Sequence, residues 1–261
     1  LLKIVFIVTF ATHLNKVKER INKLRVLFPL CLHGALPVLI CHRQGDDGMA
    51  LIFLLMFAAM LAAAGLKLRY FIIAFILIVA SLPLIYFFIM NDTQRARVTS
   101  MLDIEADLLG SGWQQWRARI AMANGSLFGQ GILRGQLVQA GSIPEGYNDL
   151  IFVSIGEEFG FIGCLAVMAL LFAICVRVII VAHRANDSLG CYICIGFFAM
   201  IAAQTVINLG MCLSLLPVVG ITLPFFSYGG SSLACLLLGL GLVASVHTHR
   251  TTREIHIKTD F

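Results

Sequence analysis

The sequence predicts an all-α fold, a polytopic membrane helix bundle with a long extracytoplasmic loop. Three observations predict it. The 261 residues are 59% hydrophobic and 13% charged, against roughly 45–50% and 25% for a soluble domain, and the mean hydropathy is +0.92. The apolar residues fall in long runs, which in lipid must be helices that satisfy their own backbone groups. The basic residues gather in short loops between those runs, the positive-inside pattern, so the net charge of +5 gives no reason to invoke nucleic acid.

The chain opens with LLKIVFIVTFATHL, which lacks the charged start of a signal peptide. It reads as the second half of a span, with the chain truncated at its N-terminus. Span one is residues 1–14 and contains Lys3. The basic segment NKVKERINKLR follows. Span two, Val26–Cys41, is expected to be broken by Pro29 and Pro37 and is short for a bilayer core that takes about 20 helical residues. The elbow HRQGDDG at 42–48 leads to span three, Met49–Leu66, and after GLKLRY to span four, Tyr70–Met90.

Residues 91–149 form a long loop whose charges nearly cancel. Within it, Trp113–Leu127 is a candidate helix with Trp113, Trp116, Ile120 and Leu127 spaced to lie on an interface. A loop of this length usually has a job. Span five is Leu150–Ala182 and span six Leu189–Leu216. The uncharged LLPVVGITLPFFSYGGSS at 215–232 reads as a turn that dips back into the membrane. Span seven runs to about Val246, before the basic HTHRTTR. Seven spans put the basic loops 15–25, 67–69, 177–184 and 247–253 on the cytoplasmic side, and the elbow, the long loop and the 217–229 turn outside. The expected organisation is therefore 1–90, the first four spans; 91–149, the outer loop; 150–250, three spans with the re-entrant turn; and 251–261, a cytoplasmic tail.

The stretch that organises the rest is PEGYNDLIFVSIGEEFGFIG, residues 144–163. It carries Asp149 into an apolar run and sets Glu157 and Glu158 inside it. Carboxylates at membrane depth are costly and usually functional. At ~100° per residue, Glu157 lies about 80° round a helix from Asp149 and roughly 12 Å along it, so it is expected to line the same cavity; Glu158 points about 180° away. Helix capping by Asn148 or Asp149 is the plain alternative for the first acid, and pairing with a Lys or Arg from another helix for the other two. Lys3 wants a carboxylate or lipid phosphate, unless it snorkels to the surface. In the elbow, Gln44 and Asp46 are candidate ligands, or simply solvated loop. Gln204 and Asn208 share a face and suit interhelical hydrogen bonding. Arg95 and Arg97 suit phosphate or anchoring at the interface. Cys191 and Cys194 form CxxC, but no second pair completes a metal site; they read as packing residues.

These residues resemble the SEDS family (shape, elongation, division and sporulation proteins). The likeness is densest in PEGYNDLIFVSIGEEFGFIG, in QTVINLGM and in LLPVVGITLPFFSYGGSS, with looser matches at NDTQRARVTSMLD, GSGWQQWRARIAMANGSLFGQG and the QGDDGMA elbow. Against a ten-span family pattern, the first three spans would be missing. The resemblance implies a peptidoglycan glycosyltransferase in the bacterial inner (plasma) membrane. Such an enzyme polymerises lipid II and works with a class B penicillin-binding transpeptidase. It also implies a catalytic Asp149, with Lys3, Gln44, Asp46 and Arg97 at the family's substrate-binding positions; Glu157 joins them from the helical-wheel argument above. Tyr147-Asn148 stands where the family has His-Thr, Gly45 where it has Pro, and Arg117-Ala118 where it has Gln-Ser. No metal ligands are assigned. A divalent cation is the alternative to Arg97 and Lys3 as a source of positive charge for the leaving pyrophosphate. A lipid II flippase and a non-catalytic scaffold for the transpeptidase are the competing functions.

Overall fold

The computed structural model describes residues 1–90, 94–95, 111–143 and 145–259. All seven expected apolar segments are helical. They are α1 (Leu2–Val17), α2 (Leu24–Arg43), α3 (Asp47–Ala63), α4 (Leu68–Leu84), α7 (Ile151–His183), α8 (Ser188–Cys212) and α9 (Gly230–Thr259). Between α4 and α7 lie α5 (Ser111–Gly125) and the single turn α6 (Gln136–Gln139). Four stretches are long and apolar enough to cross a membrane: Leu24–Arg43, Ile151–His183, Ser188–Cys212 and Gly230–His249. The chain is a multi-pass membrane protein.

It divides into two compact units, residues 1–67, 171–204 and 229–261, and residues 68–170 and 205–228. In the first unit, Ile7, Phe10 and Leu14 of α1 are wholly buried, as are Ile52, Phe53, Met56 and Met60 of α3. Phe6 stacks on Phe10 and meets Phe53 edge-on. Close helix approach depends on absent side chains: a methyl on Gly34 would overlap the Phe57 ring, and one on Gly239 the ring of Phe197. Small residues of this kind let membrane helices pack where the hydrophobic effect between them is weak.

Two expectations about helix continuity are corrected. Helix α2 is not broken: Pro29 and Pro37 both lie inside it. A membrane helix tolerates proline where neighbours and local adjustment re-satisfy the freed carbonyls. Span five, by contrast, is not one rod. Gly160 has φ 67° and ψ −163°, which interrupts α7.

That interruption has a visible cause in the second unit. The loop after α5 crosses α7 at the break and takes up the backbone groups that a helix would have used. Gln130 N donates to Glu157 O (3.0 Å) and Gly131 N to Glu158 O (2.9 Å). On the far side of Gly160, Phe161 N donates to Ser126 O (2.9 Å) and Ile162 N to Leu127 O (3.2 Å). The backbone is paid for on both sides of the kink, as buried amides require. Helix α5 itself matches the expected helix to within two residues at each end. Its inward face is small, with Gln115, Ala118 and Ala121 buried while Trp116 is 43% exposed. At the end of α4, residues Ile85–Ile89 form a π turn, and Arg95 donates to two of its carbonyls, Tyr86 O (3.0 Å) and Phe87 O (2.8 Å).

The break predicts an asymmetry between two glycines. Gly160 and Gly141 both have positive φ, but a methyl on Gly160 would overlap Gly129 N and Leu127 O, whereas one on Gly141 would meet nothing within 4 Å. Gly141→Ala should cost about 1–2 kcal/mol, the left-handed penalty alone. Gly160→Ala should cost clearly more, because the crossing loop must also move. Thermal unfolding of the two variants in detergent measures the difference.

Candidate functional site

Asp149 sits just before α7 and is half-buried. Three consecutive carbonyls around it are each tied to the segment 205–228. Tyr228 N donates to Tyr147 O (2.9 Å). The Ser227 hydroxyl donates to Asn148 O (2.7 Å) and accepts from Leu223 N (2.7 Å). Asn208, fully buried, donates from Nδ2 both to Asp149 O (2.7 Å) and to Ile221 O (2.6 Å). The Cys212 thiol lies 3.9 Å from Asp149 O. The Ser-Tyr of SYGG and the Asn of QTVINLGM therefore act together as a clamp that fixes the backbone on which the acid is mounted.

The acid's surroundings are shaped by the returning segment. Gly220, with φ +70°, lies directly beside it, so that an added Cβ would stand 3.4 Å from Asp149 Oδ2. On that side the carboxylate borders bare backbone. Asn148 spends its own amide on Glu145 Oε2 (2.7 Å). Leu150 O accepts from Val153 N and Ser154 N, which makes Leu150 the residue where the helix begins.

Glu157 is corrected from the expected cavity-lining position. It is fully buried, and its two oxygens accept from Leu137 N (2.9 Å) and Val138 N (2.8 Å) at the start of α6. The reason is the crossing loop, which a plain helical wheel omits: it brings α6 over the face where the acid points. Gly135 makes room, since a Cβ there would lie 2.8 Å from Glu157 Oε2. Glu158 reaches the same loop and accepts from Gln139 Nε2 (3.2 Å). Both acids hold the loop, and among the described residues neither forms an ion pair with a basic side chain.

Lys3, Gln44 and Asp46 belong to the first unit. Lys3 is half-buried in the first turn of α1, with Cys235, Asp46 and Cys41 as electrostatic neighbours. Asp46 caps α3, its Oδ1 accepting from Met49 N (2.9 Å), and Gln44 is the exposed residue that ends α2. Beside them, His42 Nδ1 pairs with Asp47 Oδ1 at 2.6 Å. Arg97 lies outside the described residues. Among the described residues no group of three His, Cys, Asp or Glu is placed to hold a metal ion.

Residues 1–252 match the family model FTSW_RODA_SPOVE, described as cell cycle protein. The chain belongs to this family. The SEDS motifs of the sequence are those of its members. The chain is 38% identical over 215 residues to the peptidoglycan glycosyltransferase MrdB of Escherichia coli K12, an alignment covering 82% of this chain and 58% of that protein. It is 34% identical over 250 residues to the probable peptidoglycan glycosyltransferase FtsW of Geobacter metallireducens, covering 95% of this chain and 66% of that protein. The chain therefore spans 58% to 66% of the length of these curated relatives. Among solved structures, it is similar to a chain of a peptidoglycan synthase complex, studied for its coordination of polymerization and crosslinking. The TM-score is 0.77 at 28% identity, over 95% of this chain and 68% of that one. It is also similar to the rod shape determining protein RodA of Thermus thermophilus, with TM-score 0.64 at 25% identity, over 95% and 64%.

The Glu157 geometry predicts a sharp response to an isosteric change. Glu157→Gln keeps the shape but turns one acceptor into an N–H₂ group facing a backbone N–H. It should destabilise the second unit by about 1–3 kcal/mol, the cost of a buried donor left unpaired. Hydrogen exchange at Leu137 and Val138 should rise in the variant and stay unchanged in Glu158→Gln.

Proposed function

We propose that the protein is a peptidoglycan glycosyltransferase of the bacterial inner membrane, polymerising lipid II with inversion at the anomeric carbon. The observation that carries this reading is the clamped, half-buried Asp149 beside the bare backbone of Gly220. The glycosyltransferase names of the relatives and the complex in which a structural neighbour was solved support it.

In this mechanism Asp149 accepts the proton of the acceptor sugar's 4-hydroxyl. The hydroxyl oxygen forms a bond to the donor's anomeric carbon from the face opposite the leaving group. The bond from that carbon to the pyrophosphate oxygen breaks, and undecaprenyl pyrophosphate departs with the electron pair. A general base of this kind contributes typically 10²–10⁴-fold and must be held within hydrogen-bond reach of the proton. The clamp serves that requirement, because a backbone tied at three successive carbonyls leaves only side-chain rotation to adjust. Lys3 and Arg97 are proposed to stabilise the departing pyrophosphate, Gln44 and Asp46 to contact the substrate, and Glu157 to act only through the loop it holds. A class B penicillin-binding transpeptidase is the proposed partner.

A lipid transporter is the second reading, because a broken membrane helix such as α7 often marks a transport path. Against it, the backbone groups freed at Gly160 are bonded to the loop 126–131 and are not presented to a passing solute.

Asp149→Asn keeps shape and loses the base. Assayed with purified lipid II, it should lower polymer formation by about 10²-fold or more while the unfolding midpoint stays within a few degrees. Polymer at the wild-type rate would remove Asp149 from the chemistry. Translocation of labelled lipid II with no polymer from the wild-type protein would favour the transporter. Lys3→Ala should lower the rate and Lys3→Arg restore part of it.

A further inference from the structure

We propose that His13 and His33 form a proton-released latch between α1 and α2, which holds while at most one of the two rings is charged and lets go when both are. Both rings lie in the first unit, and both are half-buried. Ionisable side chains within membrane helices are rare and usually functional. The two Nδ1 atoms are 3.2 Å apart, and the ring centroids are 5.5 Å apart with their planes inclined by 29°. The excess of the second distance over the first is two ring radii, so each nitrogen points almost straight at the other. That arrangement suits one proton on the line between them. A zinc ion on the same line, with a nitrogen at about 2.0–2.1 Å on either side, would need them about 4 Å apart.

The bonds around the pair fix where its protons sit. The Thr9 hydroxyl donates its one proton to Val5 O (2.8 Å), so toward His33 Nε2, 3.3 Å away, it accepts. His33 therefore carries its proton on Nε2 and offers the Nδ1 lone pair, to which His13 donates from Nδ1. A first added proton goes to His13 Nε2 and leaves this bond in place, now charge-assisted and stronger. A second must go to His33 Nδ1, where it removes the acceptor and sets two cations against each other. The rings of Phe6 and Phe10 stand edge-on to His33, an apolar setting that screens such repulsion poorly.

Among the described residues, His13 is the charged neighbour of His33. Helix α3 has no titratable side chain after Asp47. On α1 the next charge is Lys16, one turn on toward the basic loop; on α2, Arg25 is two turns away and Cys31 lies about 200° round the helix. Helices α8 and α9 also pack on α1; α8 brings Cys191, Tyr192 and Cys194, and α9 brings Cys235 and His247. Both side-chain hydrogen bonds described between α1 and α2 end on His33. Lys3 precedes His13 by ten residues and Gln44 follows His33 by eleven, about 15 Å along each of two antiparallel helices, and Lys3 has Asp46 as an electrostatic neighbour there. Opening the latch therefore frees Lys3 to shift against the elbow. The direction follows from linkage: the opened chain binds two protons where the latch binds one, so stability falls as pH falls.

The test uses the purified protein in detergent and two readouts. Deuterium exchange at the imidazole C2–H, resolved by peptide mass spectrometry, titrates each ring in the wild-type protein and needs no variant to fold. The pair should titrate in two steps separated by more than about one pH unit, and in His33→Leu protein His13 should titrate in a single step. Between about pH 8 and about pH 5, the unfolding midpoint of the wild type should fall further than that of His13→Phe or His33→Leu. Replacement of the exposed His247 by alanine (His247→Ala) should leave the wild-type profile unchanged. Wild-type rings that titrate together in one step overturn the latch. So does an equal fall on acidification in the wild type and in a folded His33→Leu protein.

Discussion

The second unit depends on one arrangement, the tying of Tyr147, Asn148 and Asp149 by their carbonyls to Tyr228, Ser227 and Asn208. Each such bond contributes only about 0.5–1.5 kcal/mol net, yet leaving a buried partner unmet costs about 1–3 kcal/mol. The consequence is positional more than energetic. A side chain mounted on a free loop end would sample many directions; mounted on three tied carbonyls, it keeps only its own rotamers. Asn208 matters most, because its single amide group holds both the acid's backbone and Ile221 of the returning segment.

The break in α7 follows from the same demand that buried backbone be satisfied. Irregular backbone at membrane depth is tolerated only where protein or a cavity surrounds it. Here the loop 126–131 supplies the partners, and Glu157 and Glu158 then anchor the next part of that loop through Leu137, Val138 and Gln139. Two carboxylates that look like catalytic material in the sequence are thus spent on architecture.

The fold class was legible because hydropathy and basic loops report directly on the bilayer, and each expected span became a helix. The helix α5 between the fourth and fifth spans was legible from the spacing of its apolar residues. What the sequence hid were the long-range partners. The wheel placed Glu157 toward the cavity because it leaves out the crossing loop, which brings Leu137 and Val138 onto the acid from about 20 positions earlier in the chain. Pro29 and Pro37 misled in the opposite sense, since proline in a membrane helix need not break it. Asn208 was read as an interhelical polar residue, which is correct in kind, but its partners are the carbonyls of Asp149 and Ile221. The clue that could have found the clamp is the uncharged SYGG segment, where a serine among apolar residues needs a buried partner.

The account stands or falls on whether fixing the Asp149 backbone is what makes its carboxylate effective. The most direct measurement is the initial rate of lipid II polymerisation by Asn208→Leu protein, with circular dichroism confirming that the helices persist. With Asp149 intact but its carbonyl untied, the rate should fall at least tenfold. A folded Asn208→Leu protein that polymerises at the wild-type rate would contradict the account.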